Sequence, residues 1–111
     1  MTNVLAFAGS NSPTSINHQL IEHVSARITA HSVEVLKLRA LEFPMFSIGR
    51  EKEGIPPHVQ LVFDKIQQSS ALIIAVNENN RNVSAFFKNI IDWLSRVERK
   101  FLQDKKILLI S

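Results

Sequence analysis

Apolar residues cluster in four short runs, at Asn3–Ala8, Val33–Leu38, Ala71–Val76 and Ile107–Ile110. The first, third and fourth are close to continuously apolar, which predicts strands buried on both faces. The second alternates Val33, Val35, Leu36 and Leu38 with Glu34 and Lys37 and reads as a further strand. Between these runs the period changes to that of a helix. Ile16, Leu20, Ile21, Val24 and Ile28 share one helical face, as do Val59, Val62, Phe63 and Ile66. Val83, Phe86, Phe87, Ile90, Ile91, Leu94 and Val97 form the cleanest helical stripe. Pro13 stands ahead of the first helix, with Thr14 or Ser15 as its cap, and Pro57 suits the first turn of the second. The stretch Arg39–Pro56 shows no period and holds Pro44, Gly49, Gly54 and Pro56. Irregular segments of this length in compact domains tend to be functional.

The order βαβ-loop-αβαβ predicts a parallel sheet with helices on both faces and right-handed crossovers. A single domain over residues 1–111 is expected. Four such strands fit a flavodoxin-like three-layer α/β/α sandwich of strand order 2-1-3-4. An apolar strand at the end of a chain would lie bare at the sheet edge. The domain is therefore expected to be C-terminally incomplete, truncated before a fifth strand.

Composition narrows the chemistry. There is no cysteine, which removes disulfides, thiolate catalysis and cysteine metal sites. His18, His23, His31 and His58 lack the i, i+4 spacing of a helical metal pair, so no metal is expected. No apolar run spans a membrane, and no basic segment precedes the first strand, so a cytoplasmic protein without a membrane partner is expected. The net charge of +3 is concentrated between Arg96 and Lys106, where five cations face two carboxylates. That segment reads as a solvated helix end rather than a nucleic-acid surface.

Ligands of open α/β sheets bind at the carboxyl ends of the strands. The loop after the first strand, Gly9-Ser10-Asn11-Ser12-Pro13-Thr14-Ser15-Ile16-Asn17, offers hydroxyls, amides and a helix N-terminus. It fits a phosphate or a plain capping turn. It lacks the Gly-Lys-Ser/Thr ending of a P-loop and the GxGxxG fingerprint. The loop after the third strand, Asn77-Glu78-Asn79-Asn80-Arg81-Asn82, suits the polar edge of a planar heterocycle or an exposed polar turn. A phosphoacceptor receiver domain needs acidic residues where Ala8-Gly9 and Asn77 stand, and is set aside.

Two motifs together are specific. Gly9-Ser10, with Ser15 and Asn17 downstream, resembles the GSxRxxSxN phosphate loop of the NADPH-dependent FMN reductase family. Phe87-Lys88-Asn89-Ile90-Ile91-Asp92-Trp93-Leu94-Ser95 resembles that family's LKNAIDWLS helix, and Glu78 and Asn80 match its TPEYNGSxP loop. The resemblance implies an FMN site. Ser10, Asn11, Ser12, Ser15 and Asn17 would surround the phosphate, and Asn77, Glu78, Asn79 and Asn80 would lie along the isoalloxazine. It implies NAD(P)H as co-substrate, hydride transfer to flavin N5, and a small-molecule acceptor such as a quinone, an azo compound or free flavin. No acid–base residue is then required, because the chemistry belongs to the cofactor. A homodimer or homotetramer is implied as well.

This chain departs from the family pattern at Ser12 (usually Arg), Asn77 (Pro), Asn79 (Tyr) and Arg81 (Gly), and the third flavin loop would follow Ser111. The competing reading is a truncated, non-enzymatic flavodoxin-like module acting through association. Trp93 is expected to pack structurally, and Met45–Phe46 to line either the pocket or the core.

Overall fold

A computed structural model describes residues 3–10, 16–76, 78–79 and 82–110. The elements run β1 (Asn3–Ala8), α1 (Ile16–Ala26), β2 (Ser32–Leu36), α2 (Ile48–Glu51), α3 (Pro57–Gln67), β3 (Ala71–Ala75), β4 (Glu78–Asn79), β5 (Asn82–Val83), α4 (Ala85–Val97) and β6 (Lys106–Ile110), with a 3-10 turn at Leu38–Ala40. The four long strands form one parallel sheet in the order β2-β1-β3-β6, the 2-1-3-4 order expected. Val4 lies opposite both Val33 and Ala71, and Ala75 lies opposite both Ala8 and Ile110.

Because strand side chains alternate, β1 feeds two separate cores. Leu5 and Phe7 join Leu72, Ile74, Val59, Val62, Ile66, Ile90, Trp93 and Leu94 under α3 and α4. Val4, Ala6 and Ala8 join Ile73, Ala75 and Ile21 under α1. The first face is built of large side chains. Leu5, Ile90 and Leu94 are each 1% exposed, and a side chain of that kind contributes about 1.5–3 kcal/mol on burial. The second face carries smaller side chains, with Ala6, Ala8 and Ala75 beside Val4 and Ile73.

Several boundaries differ from the expectation. β2 stops at Leu36, and Leu38 is buried from the 3-10 turn rather than from the strand. Val83 belongs to β5, because Ser84 caps α4 one residue later. Ile16 begins α1 but is 80% exposed, so the apolar stripe of that helix starts a turn later, at Leu20 and Ile21. The apolar run of the last strand reads as buried, yet Leu108 and Leu109 are 54% and 66% exposed, in line with the bare edge that its place last in the chain suggested. Among the described residues β6 pairs with β3 alone.

Most of the basic segment is exposed, as expected, but two of its cations also make tertiary bonds. Lys105 Nζ donates to the carbonyls of Gln67 (3.1 Å) and Ser69 (2.6 Å), satisfying the C-terminal end of α3. Arg96 is taken up by Glu51, as described below. No helix among the described residues is long and apolar enough to cross a membrane.

Candidate functional site at the carboxyl rim of the sheet

The parallel register brings the ends of three strands to one rim. Gly9 N donates to Ala75 O at 2.9 Å, adding a rung beyond β1 and β3, and Val76 N donates to Ile110 O at 2.9 Å. The chain therefore leaves β1 at Gly9-Ser10 and β3 at Val76 side by side. Ser10 is buried, and Asn17 is half-buried in the first turn of α1. That turn holds no acidic residue, so no local carboxylate cancels the positive end of the helix dipole. A serine hydroxyl, an amide and an uncompensated helix N-terminus are a donor set suited to an anion such as phosphate.

Asn11, Ser12, Ser15, Asn77 and Asn80 lie outside the described residues. Glu78 and Asn79 form β4, which pairs antiparallel with β5, Glu78 opposite Val83 and Asn79 opposite Asn82. The asparagine-rich segment is thus not only a polar turn: part of it is a two-rung hairpin standing on the rim.

Ser84 ties this rim to α4, and sequence reasoning overlooked it. As the N-cap, its Oγ accepts from Phe87 N (3.2 Å) and donates to Gly9 O (2.9 Å) from a buried position. One hydroxyl thus satisfies the first turn of a helix and the Gly9 carbonyl at the end of β1. The available signal was a serine immediately before the strongest apolar stripe. Phe87, in the same turn, lies over Gly9. A Cβ at residue 9 would come within 2.6 Å of Phe87 Cδ1, so only glycine permits this approach of helix to strand end.

Farther along α4, the residues that carry the family resemblance hold the long loop. Asn89 Nδ2 (3.0 Å) and Trp93 Nε1 (2.7 Å) both donate to Pro44 O, and Asn89 Oδ1 accepts from Phe46 N at 2.7 Å. Trp93 is fully buried and meets the Phe46 ring edge-on at 5.1 Å. Of the Met45–Phe46 pair, Phe46 packs and Met45 is 73% exposed. Lys88 and Asp92 pair with each other across one turn at the surface.

Arg96 donates from Nε (2.9 Å) and Nη2 (2.8 Å) to the two carboxylate oxygens of Glu51, and lies 5.8 Å from the centre of the Phe46 ring. The hydrogen bond from Arg96 holds the Glu51 carboxyl below its ordinary value; desolvation opposes this and charge attraction reinforces it. A segment that reads as irregular in sequence is therefore a strapped loop with a 3-10 turn and a one-turn helix.

A family model described as NADPH-dependent FMN reductase matches residues 2–111. A NADH:(hydroxy)cinnamate reductase subunit of Vibrio ruber is 30% identical over 110 residues, covering 98% of this chain and 52% of the relative. A quinone reductase of Escherichia coli K12 is 30% identical over 108 residues, covering 96% and 57%. The crystal structure of an NADH:FMN oxidoreductase in its apo form superposes with a TM-score of 0.72 at 18% identity, covering 96% of this chain and 56% of that one. The chain spans about half the length of the curated relatives it matches. With a match that runs from Thr2 to Ser111 over a sheet of the expected order, the chain belongs to the NADPH-dependent FMN reductase family.

Proposed function

We propose that the chain holds FMN at the carboxyl rim of its sheet and serves an NAD(P)H-dependent oxidoreductase that passes reducing equivalents to a small acceptor. Family membership supports this reading over a module that acts only by association. The observation that carries it is the Gly9–Ala75 hydrogen bond, which sets the two candidate loops on adjacent strands of one rim. Bound FMN would supply hydride acceptance from NAD(P)H. The protein's part is to bind, orient and desolvate.

In this proposal Ser10, Asn11, Ser12, Ser15 and Asn17 take the phosphate, aided by the N-terminus of α1. Asn77, Glu78, Asn79 and Asn80 take the edge of the ring system. With Ser12 in place of the family's arginine, the phosphate is held by neutral donors and the helix end, each weaker than a charge-assisted bond. A quinone-class acceptor is supported by the name of the Escherichia coli relative. A cytoplasmic homodimer or homotetramer, without nucleic-acid or membrane partners, completes the proposal.

The test is titration of purified full-length protein with FMN and with riboflavin, followed by flavin fluorescence. FMN should bind more tightly than riboflavin, and Ser10→Ala should weaken FMN by about 5–10-fold, the equivalent of one hydrogen bond of about 1 kcal/mol. Riboflavin binding should change little. Equal affinity for the two flavins, or none for either, would remove the phosphate assignment.

A further inference from the structure

One cavity among the described residues shares no residue with the proposed flavin site. It is a cleft of about 810 Å³ between the long loop and the first turns of α3 and α4. Its volume lies in the range of small-molecule pockets, about 300–1,000 Å³. One wall is aromatic: Phe43 and Phe86 meet edge to face, with centroids 5.9 Å apart and planes at 76°. Both rings are only half-buried, so part of each is open to a guest.

The polar part of the lining is asymmetric. Arg39 is half-buried and makes no ion pair or hydrogen bond with the described residues. His58 Nδ1 accepts from Glu42 N at 2.7 Å. That bond places the lone pair on Nδ1 and leaves Nε2 as the donor nitrogen. The other charges of the lining are exposed or already paired. Glu42 is exposed, and Arg50 is neutralised at 2.9 Å by Glu53, whose side chain is 66% exposed. A half-buried guanidinium that no described carboxylate pairs is screened less than an exposed or neutralised charge. The lining therefore presents two donors, on Arg39 and His58, together with an aromatic wall.

We infer that this cleft binds a small aromatic carboxylate, its ring against Phe43 and Phe86 and its carboxylate on Arg39 and the His58 Nε2–H. The inference goes beyond the flavin reading and does not rest on it, because its test needs neither flavin nor pyridine nucleotide.

The experiment is calorimetric titration of full-length protein with 2-naphthoate and with its neutral isostere 2-naphthamide. Naphthoate should bind at least about tenfold more tightly than the amide, the gain of a charge-assisted pair over a neutral one. Arg39→Gln should erase that difference, and Arg39→Lys should restore part of it. Phe86→Leu should weaken both ligands, and Glu42→Gln should tighten naphthoate alone by removing a like charge. A melting curve reports whether each variant is folded. If Arg39→Gln does not fold, the acid–amide ratio of the unmodified protein decides the matter. Equal affinity for acid and amide, naphthoate affinity unchanged within about twofold in Arg39→Gln, or no binding of either ligand would overturn the inference.

Discussion

Ser84→Ala removes a single oxygen that makes two bonds in different parts of the molecule. The Oγ accepts from Phe87 N at the start of α4 and donates to Gly9 O at the end of β1. Loss of a serine N-cap costs about 1 kcal/mol. A buried carbonyl left without its donor adds about 1–3 kcal/mol, because the penalty is the desolvation of an unmatched group rather than the net worth of one bond. The variant should lose about 2–4 kcal/mol, a large share of the roughly 5–15 kcal/mol available to a domain.

Two further substitutions separate the terms. Ser84→Gly keeps most of the capping preference, so it should lose mainly the Gly9 part, about 1–3 kcal/mol. Ser84→Thr retains a hydroxyl able to make both bonds and should stay near the parent. Urea unfolding followed by circular dichroism measures all three, with an unchanged slope showing that stability rather than compactness moved. A Ser84→Ala loss below about 0.5 kcal/mol, the range of an ordinary surface change, would refute the double role of the hydroxyl. So would a threonine variant as unstable as the alanine one. Because Gly9 precedes Ser10, Ser84→Ala should also weaken FMN binding at protein concentrations where the fold persists.

Gly9→Ala should destabilise by about 1–3 kcal/mol, the cost of overpacking, since the new methyl would lie 2.6 Å from Phe87 Cδ1 and 2.8 Å from Cγ. Phe87→Leu in the same chain should recover part of this loss, and strict additivity in a double-mutant cycle would show that the two sites do not touch. Stability should also fall as the solution is acidified. Glu51 titrates below its ordinary 4.5 in the folded chain, so its contribution is present above that value and disappears as pH drops through the lower folded-state value. Acid titration of Arg96→Gln should show a shallower decline below about pH 4.5. An identical acid limb would mean that the Arg96–Glu51 pair does not couple to folding.

How much of this was legible in the chain depends on the range of the signal. The run Asn3–Ala8, the proline that opens α3 at Pro57 and the strand from Ala71 are local, and each was read within a residue of its position. The 2-1-3-4 order was expected because four such strands fit the flavodoxin-like arrangement. The adjacency of the β1 and β3 loops followed from that order, since loops leaving neighbouring parallel strands at the same end must lie together. The apolar stripe of α4 was legible as well, but not what its polar members do. Asn89 and Trp93 find their acceptor on Pro44, 45 and 49 residues away.

The strapped loop, the Ser84–Gly9 bond and the contact of Phe87 on Gly9 come from side chains that meet only after the helix has packed on the sheet. Local pattern records which face of an element is apolar; it does not record which distant carbonyl a given hydroxyl or indole will reach. The exposure of β6 was legible in part. A last apolar strand was expected bare at the sheet edge, yet its run Ile107-Leu108-Leu109-Ile110 by itself reads as buried, because burial is a property of neighbours that the tertiary structure decides.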